Sequence, residues 1–441
     1  MKKLIIFALF AVQIIFAKAF PEAQGYGASS VGGRNGKVIY VTNLNDTGTG
    51  SFRSALYYPA PRTILFAVSG VIHAKTQMVV TNPYLTIAGQ TSPSNGITII
   101  GSGIYIATHD VIIRHLRIRN GDTTLAHTCD DRDAITMGEN SYNVIVDHVS
   151  LSWAVDENFS TWYNAHDITL QNSIISEGLA YSCHPKGEHS KGILIGDSTM
   201  RISMYHNYLE SNYDRNPTIK GCSKSDFVNN VVYNFGGFAF AFGYDYCVNS
   251  HDTTMVNNLY NYYKRGPSTL NWAKFFFAGD TSYPTKTMIY VNGNEGNDSL
   301  LLYYNSHQSA FIAAHPSYLV SSLVNYANNI SYTNPISSAL YDFLNDVGAT
   351  KPKRDYIDTR VINEFISGKG AIINSQNDVG GYPKFTATTT NDSLLYIYDK
   401  DKDGLPNSYE ILKGLNPGNP NDAKITNSDG YTNLEIYLNS L

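Results

Sequence analysis

The residues of this chain with the types and spacing for chemistry are, first, two groups of carboxylates. Near the C-terminus, "DKDKDGLPNSYE" sets Asp399, Asp401 and Asp403 at alternate positions, then Gly404, then Glu410 eleven residues after the first acid. That is the EF-hand-type spacing in full. Alternate acids converge on one hard cation, the glycine permits a sharp turn, and the last glutamate can bind with both oxygens. The text that follows, ending "NSDGYTNLEIYLNSL", reads as the paired half of a small calcium-binding module, with Asn427, Asp429 and Glu435 as weaker ligand candidates. A structural or docking role is expected of it. Far upstream, Asp131 and Asp133 are separated by one residue, so on a strand both carboxylates would share a face and Arg132 would point the other way. Asp156 and Glu157 follow in "AVDENFSTW". Asp147-His148 has the composition of a carboxylate–imidazole dyad, but strand neighbours point to opposite faces, which predicts a structural role. His184 and His189 flank "PKGEH" and stand near enough to Lys191 to line a cleft.

The elements that must position these groups are short. Long helical periodicity is nearly absent. β-Branched runs recur instead, starting at Val111, Val144, Ile168, Ile202, Phe227 and Met255, and each is trailed by Asn, Asp, Ser or Gly. A repeat of about this length built on a strand predicts a solenoid of β-coils, each burying its apolar face only against its neighbours. A β-sandwich would bring strands back at roughly half the spacing. Asn207, Asn229 and Asn257 recur near the same turn, where stacked amides could satisfy one another's backbone. Between residues 250 and 350 the strands are less regular, and a short amphipathic helix is predicted over 356–368.

Composition bounds the partners. Lys and Arg number 32 against 37 Asp and Glu, which argues against nucleic acid, and only 16% of residues are charged. Lys2-Lys3, an apolar stretch to Phe16 and Ala17-Lys18-Ala19 read as a cleaved secretory leader, with no integral membrane segment after cleavage. The expected organisation is a leader over 1–19, a catalytic domain over 20–390 and a calcium-binding module over 391–441. Cys129, Cys183, Cys222 and Cys247 allow three pairings in an oxidising compartment, with Cys129–Cys183 and Cys222–Cys247 favoured as near neighbours.

Several ordered strings then carry a family resemblance. "PEAQGYGASSVGGRNGKVIYVTNLNDTGTGSFRSAL", "LTIAGQTSPSNGITI", "VIIRHLRIRNGD", "DRDAI", "NVIVDHVSLSW", "KGILIG", "RNPTIK" and "VGGYP" span nearly the whole mature chain. Together they resemble the pectate lyases of polysaccharide lyase family one, in the Bacteroidetes-type subgroup that carries a C-terminal calcium-binding module. The resemblance implies an all-β, right-handed parallel β-helix with long loops, acting as a secreted monomer on acidic plant polysaccharide such as polygalacturonate. It implies a cleft Ca2+ held by Asp131 and Asp133, with Asp156 and Glu157 from the next coil. The family's fourth acidic position falls at about Ser160, so either Glu157 supplies that carboxylate or the site binds calcium more weakly and leans on the substrate's own oxygens. Arg215 matches the family's catalytic base, Lys191 the lysine that contacts substrate beside it, and Lys220 replaces a second substrate-binding arginine. A point charge there substitutes for a bidentate grip.

The implied reaction removes the C5 proton, α to a carboxylate, and expels the C4 oxygen. It needs a hard cation on that carboxylate and a strong base, which for a guanidine means an alkaline optimum. Three other readings compete. A lyase acting on methyl-esterified pectin is argued against by the Asp131–Asp133 pair, since an ester needs no calcium neutraliser. A polygalacturonate hydrolase would need paired carboxylates across a cleft, and a non-catalytic β-helical carbohydrate binder would need no basic set beside an acidic one.

Overall fold

The computed structural model describes residues 17–124, 129–244, 253–278, 287–296, 318–324, 327, 329–331, 336–389 and 397–441. The recurring β-branched runs are the rungs of one sheet. Val111 pairs with Val144, Val144 with Ile168, and Ile168 with Ile202, all in parallel register. Period-two alternation sends Val111, Ile113, Val144, Val146, Ile168, Leu170, Ile202 and Met204 inward, and every one is fully buried. They stack into a single core running the length of the molecule.

Each coil continues through two further strands before returning, so three sheets of ten, eight and ten strands wrap that core. Among the described strands all pairings are parallel except Thr388–Thr389, which lies antiparallel on Val68–Ala74. Three parallel sheets joined by short crossovers make a parallel β-helix of the right-handed sense such connections adopt. The rungs continue past residue 250 through Thr254–Leu259 and Thr287–Asn292. Residues 297–317, within the stretch expected to be less regular, lie outside the described part.

The amide ladder exists, but one of its predicted members alone takes part. Asn207 N–H donates to the Asn230 side-chain oxygen at 2.8 Å, Asn230 N–H to Asn261 at 2.8 Å, and Asn261 N–H to Asn294 at 2.9 Å. Asn229 and Asn257 are one and four residues away from ladder positions. Asn257 bonds Asp226 and the carbonyl of Val324 instead. Each ladder amide satisfies backbone at the turn between two strands, which no single strand could do for itself.

Cys129 and Cys183 are joined, and Cys222 is also disulfide-bonded; its expected partner Cys247 lies outside the described residues. The predicted helix spans Tyr356–Ser367, capped by the Asp355 side chain on Asp358 N–H and ended by Gly368 in the left-handed conformation. It buries Ile357, Val361, Ile362 and Phe365 against the solenoid. Residues 1–16 of the expected leader lie outside the described part, as does the 390–396 boundary of the C-terminal module. No helix among the described residues is long and apolar enough to cross a membrane.

Asp147 and His148 correct a geometric expectation. They touch, with His148 Nδ1 2.9 Å from Asp147 Oδ2, because His148 sits just past the strand at φ 50° and turns its ring back. The role is nonetheless structural. Asp147 is fully buried and also accepts from Arg114 Nε, Gln171 Nε2 and Asn172 Nδ2. Burial alone would lower the His148 pKa, but Asp147 and the hydrogen bonds to Asp147 and Asp346 raise it to about 9. Stability from this ring is therefore fully present below the unfolded value of about 6.5 and is lost as pH rises through about 9. The other groups facing it are His115, stacked on it, Arg114 and His206. His148→Gln is expected to destabilise the fold by up to about 3 kcal/mol at pH 6. The gap between the two melting temperatures should shrink towards pH 10 in parallel thermal melts.

Candidate active site

The eight-stranded sheet carries the cluster. Its consecutive strands Ile135–Met137, Glu157–Thr161, Lys191–Ile195 and Thr218–Lys220 lie side by side. Ile135 pairs with Phe159 and Glu157 with Lys191, while Lys191 forms a further parallel bridge to Asp214. Residues that are 23 to 34 positions apart in the chain thus meet at one strand spacing, about 4.8 Å.

Asp133 lies in the turn before the first of these strands and is 5% exposed. Its Oδ1 accepts the Glu157 N–H at 2.9 Å, and its Oδ2 accepts the Thr136 hydroxyl at 2.9 Å and the Ser160 hydroxyl. Ser160 thus serves the cluster as a donor at the position where an acid was expected. Oxygens of Asp133, Asp156 and Glu157 lie within 4.8 Å of one another. Burial first, and then the charge of Asp156, push Asp133 up to about 7, with the two hydroxyl hydrogen bonds opposing. Three crowded carboxylates of this kind fit a hard divalent cation with oxygen ligands. Asp131 does not follow the strand argument made for it. The Asp131–Asp133 segment is a turn, so Asp131 is exposed while Asp133 is buried. Arg132 is buried between them and donates to the carbonyls of Gly121 and Thr123, anchoring the turn.

Arg215 immediately precedes the Asn216-Pro217 bond and holds φ 59°, a conformation that a non-glycine residue rarely adopts. Its guanidinium pairs with the Glu157 carboxylate. Its carbonyl accepts the Ile193 N–H, and Gly192 leaves room for this approach: a Cβ there would stand 2.5 Å from that oxygen. Gly192→Ala should therefore displace Arg215 and lower kcat by at least about 10-fold, with the circular dichroism spectrum unchanged. Lys191 Nζ lies 2.9 Å from Asp214 Oδ2 and 5.6 Å from the centre of the Tyr213 ring. Burial raises the Asp214 pKa, and Lys191 opposes the shift. Lys220 stands at the far end of its strand, 3.5 Å from Asp197 and 5.5 Å from the Trp162 ring centre. The structure so gathers Asp133, Asp156, Glu157 and Arg215 with Lys191 one rung away, and holds Lys220 apart.

The histidines noted only as cleft-lining prove to back Asp156. His189 Nε2 lies 2.6 Å from Asp156 Oδ1, and the His184 ring stacks on His189 at 3.7 Å between centres. Burial, and then His189, lower the His184 pKa. Asp214 was not anticipated, and its one sequence signal is adjacency to Arg215.

In the C-terminal segment, Asp399, Asp403 and Glu410 are buried and Asp401 half-buried, with Gly404 at φ 99°. Asp422, which the sequence reading did not single out, is buried with them. Both oxygens of Asp401 and Glu410, one of Asp403 and one of Asp422 have no hydrogen-bond donor among the described residues. Burial first, and then the neighbouring acids, raise Asp401, and raise Glu410 to about 7. Burial also raises Asp403 to about 7, against the Leu405 N–H and with Asp401 and Asp399. The weaker candidates are engaged elsewhere. Glu435 caps helix Asn433–Ser440 with Thr432 and pairs with Arg34 at 2.7 Å, and Asn427 and Asp429 bond each other in an exposed turn.

No protein-family model matches the chain. Among curated proteins, the probable pectate lyase C of Neosartorya fischeri is 37% identical over 449 residues, covering 99% of this chain and 97% of the relative. The probable pectate lyase C of Emericella nidulans is 35% identical, covering 96% and 92%. Among solved structures, a pectate lyase bound to hexasaccharide shares the fold at TM-score 0.53 and 14% identity, covering 74% of this chain and 96% of that one. The major allergen of cedar pollen does so at 0.51 and 18%, covering 74% and 92%. With full-length identity of this order in its relatives, the chain belongs to the pectate lyase family and is a polysaccharide lyase.

Proposed function

We propose that this enzyme is a secreted, calcium-dependent pectate lyase that cleaves de-esterified polygalacturonate by β-elimination with Arg215 as the base. The observation that carries the reading is the Arg215 guanidinium set directly against the Asp133–Asp156–Glu157 cluster, with Lys191 on the adjoining rung. Asp133, Asp156 and Glu157, joined by the exposed Asp131, would hold the ion. A calcium ion there supplies a counter-charge to the uronate carboxylate. Arg215 takes the C5 proton, the electron pair forms the C4–C5 double bond, and the C4–O bond breaks with the sugar oxygen leaving. Lys191 stabilises the charge that spreads into the carboxylate, and Lys220 binds a more distant uronate. The pairing with Glu157 favours the charged guanidinium, so the base form requires Glu157 to be engaged elsewhere, consistent with an alkaline optimum.

The hydrolase alternative fares poorly by geometry. A glycosidase sets its acid and base on opposite sides of the scissile bond, whereas the Asp133, Asp156 and Glu157 oxygens converge on one point and Glu157 is paired with Arg215. The EF-hand-type loop Asp399, Asp401, Asp403 and Glu410 takes a second calcium, and that tail is what supports the Bacteroidetes-type subgroup. Secretion rests on the leader. Near-ultraviolet absorbance of the unsaturated product, followed with polygalacturonate at alkaline pH with calcium or chelator, tests the reading. A calcium-dependent rise supports it. New reducing ends without absorbance would mean hydrolysis, and bound but uncut polymer would mean a binding protein.

A further inference from the structure

The C-terminal segment lies along a single row of the solenoid. Tyr40, Leu65, Ala88 and Arg114 are register partners on the first four rungs of one ten-stranded sheet. Each meets the tail. Tyr40 donates its hydroxyl to Asp399 Oδ2 at 2.6 Å, Leu65 and Ala88 pack on Leu438, and Arg114 Nη1 donates to the Asn439 side-chain oxygen at 2.9 Å. Gln90 Nε2 adds a bond to the Leu438 carbonyl at 3.3 Å. The acidic loop is thus joined to the coil body through the same carboxylate that opens it.

Asp399, Asp401 and Asp403 set oxygens within 4.8 Å of one another, the charges of these acids and of Asp422 act on Glu410, and none of the five is ion-paired with Lys, Arg or His among the described residues. Glu410 is 0% exposed with both oxygens lacking a donor, which points to a ligand and not to a solvated acidic loop. Asp422 is 4% exposed, and its charge reaches Asp401, Asp403 and Glu410. Its Oδ2 accepts the Asn416 N–H at 2.9 Å and its carbonyl accepts Asn433 Nδ2 at 2.8 Å, which leaves Oδ1 for the cluster.

We infer that one calcium ion, held by Asp399, Asp401, Asp403, Glu410 and Asp422, staples the C-terminal segment across the first four rungs of the β-helix, with Tyr40 orienting Asp399 from the coil body. The inference rests on the reading of Asp399–Glu410 as a calcium loop and adds to it a fifth ligand and a function. The ion closes the last segment on the outward face of the first coils, where Leu65 and Ala88 would otherwise form an uncovered apolar row.

The test uses the full-length protein and the Asp422→Asn, Tyr40→Phe and Asp403→Asn variants. Calcium titration by calorimetry, with the component lost in Asp403→Asn assigned to this site, should show at least about 10-fold weaker binding in Asp422→Asn. Hydrogen exchange at saturating calcium should then speed up in Asp403→Asn within both helix Asn433–Ser440 and the strands Lys37–Val41 and Arg62–Phe66. Tyr40→Phe should loosen the same strands while binding calcium nearly as tightly as wild type. If Asp422→Asn binds as wild type, or if Asp403→Asn speeds exchange in the tail alone, the staple is wrong and the loop reading survives. If Asp403→Asn loses no calcium component, the loop reading itself fails.

Discussion

Arg215→Ala is expected to lower kcat by about 10³-fold, within the range that a positioned base supplies. Arg215→Lys should recover little of it, because an ammonium reaches a different point and presents no planar face. The same change leaves Glu157, 2% exposed, as a buried carboxylate without its cation. Calcium-free Arg215→Ala should therefore melt below wild type, as an uncompensated buried charge costs several kcal/mol. Added calcium should restore its melting temperature without restoring turnover. That divergence separates a base from a residue that merely holds the cleft together. Product absorbance and thermal melts, each with and without calcium, check it. A variant retaining more than a tenth of wild-type kcat would remove Arg215 from the base role.

Asp133→Asn is the second large effect. The asparagine oxygen can still accept the Glu157 N–H, while its amide nitrogen takes the place of the second oxygen and can donate to the Thr136 and Ser160 hydroxyls once these turn to accept, so the turn should keep its shape. What is lost is a buried carboxylate charge on the turn side of the cluster. The calcium concentration for half-maximal rate should rise by about 10²-fold, and the rate at ordinary calcium should fall accordingly. Asp403→Asn, in the C-terminal loop, should leave the rate at saturating calcium unchanged. If Asp133→Asn responds to calcium as wild type does, the cleft cluster is not the calcium site that matters for turnover.

The amount legible in the sequence varied with how local the physics was. The rung strands were readable because burial on one face of a strand imposes period two within a few residues, as at Val111, Val144 and Ile168. The helix over Tyr356–Ser367 was readable from its 3.6-residue spacing for the same reason. The C-terminal acidic cluster was readable because Asp399, Asp401, Asp403 and Glu410 lie within one short stretch of chain. Asn230 was missed beside Asn229 because both are buried in one turn between strands, where Asn229 takes a left-handed φ of 51° and bonds the Tyr260 carbonyl, so local backbone geometry decides which amide faces the stack. The Asp147–His148 contact was missed because φ at His148 departs from the strand it follows. Asp422 carried no short-range signal, since it reaches the loop from beyond helix Asn407–Lys413.

The sequence by itself determined the coil architecture and the family, and it offered most of the charged residues that the structure gathers. These depend on local periodicity and on ordered strings, both written in consecutive residues. Tertiary structure alone decided which of those residues meet. Asp133 faces Glu157, Glu157 faces Lys191 and Lys191 faces Asp214 because each turn of the solenoid takes a different number of residues to return. It also decided that Lys220 stands off with Trp162, that His189 backs Asp156, and that the tail folds onto the first four rungs. Stacking register is set by how every coil packs on the next, so it is fixed only when the whole core has formed.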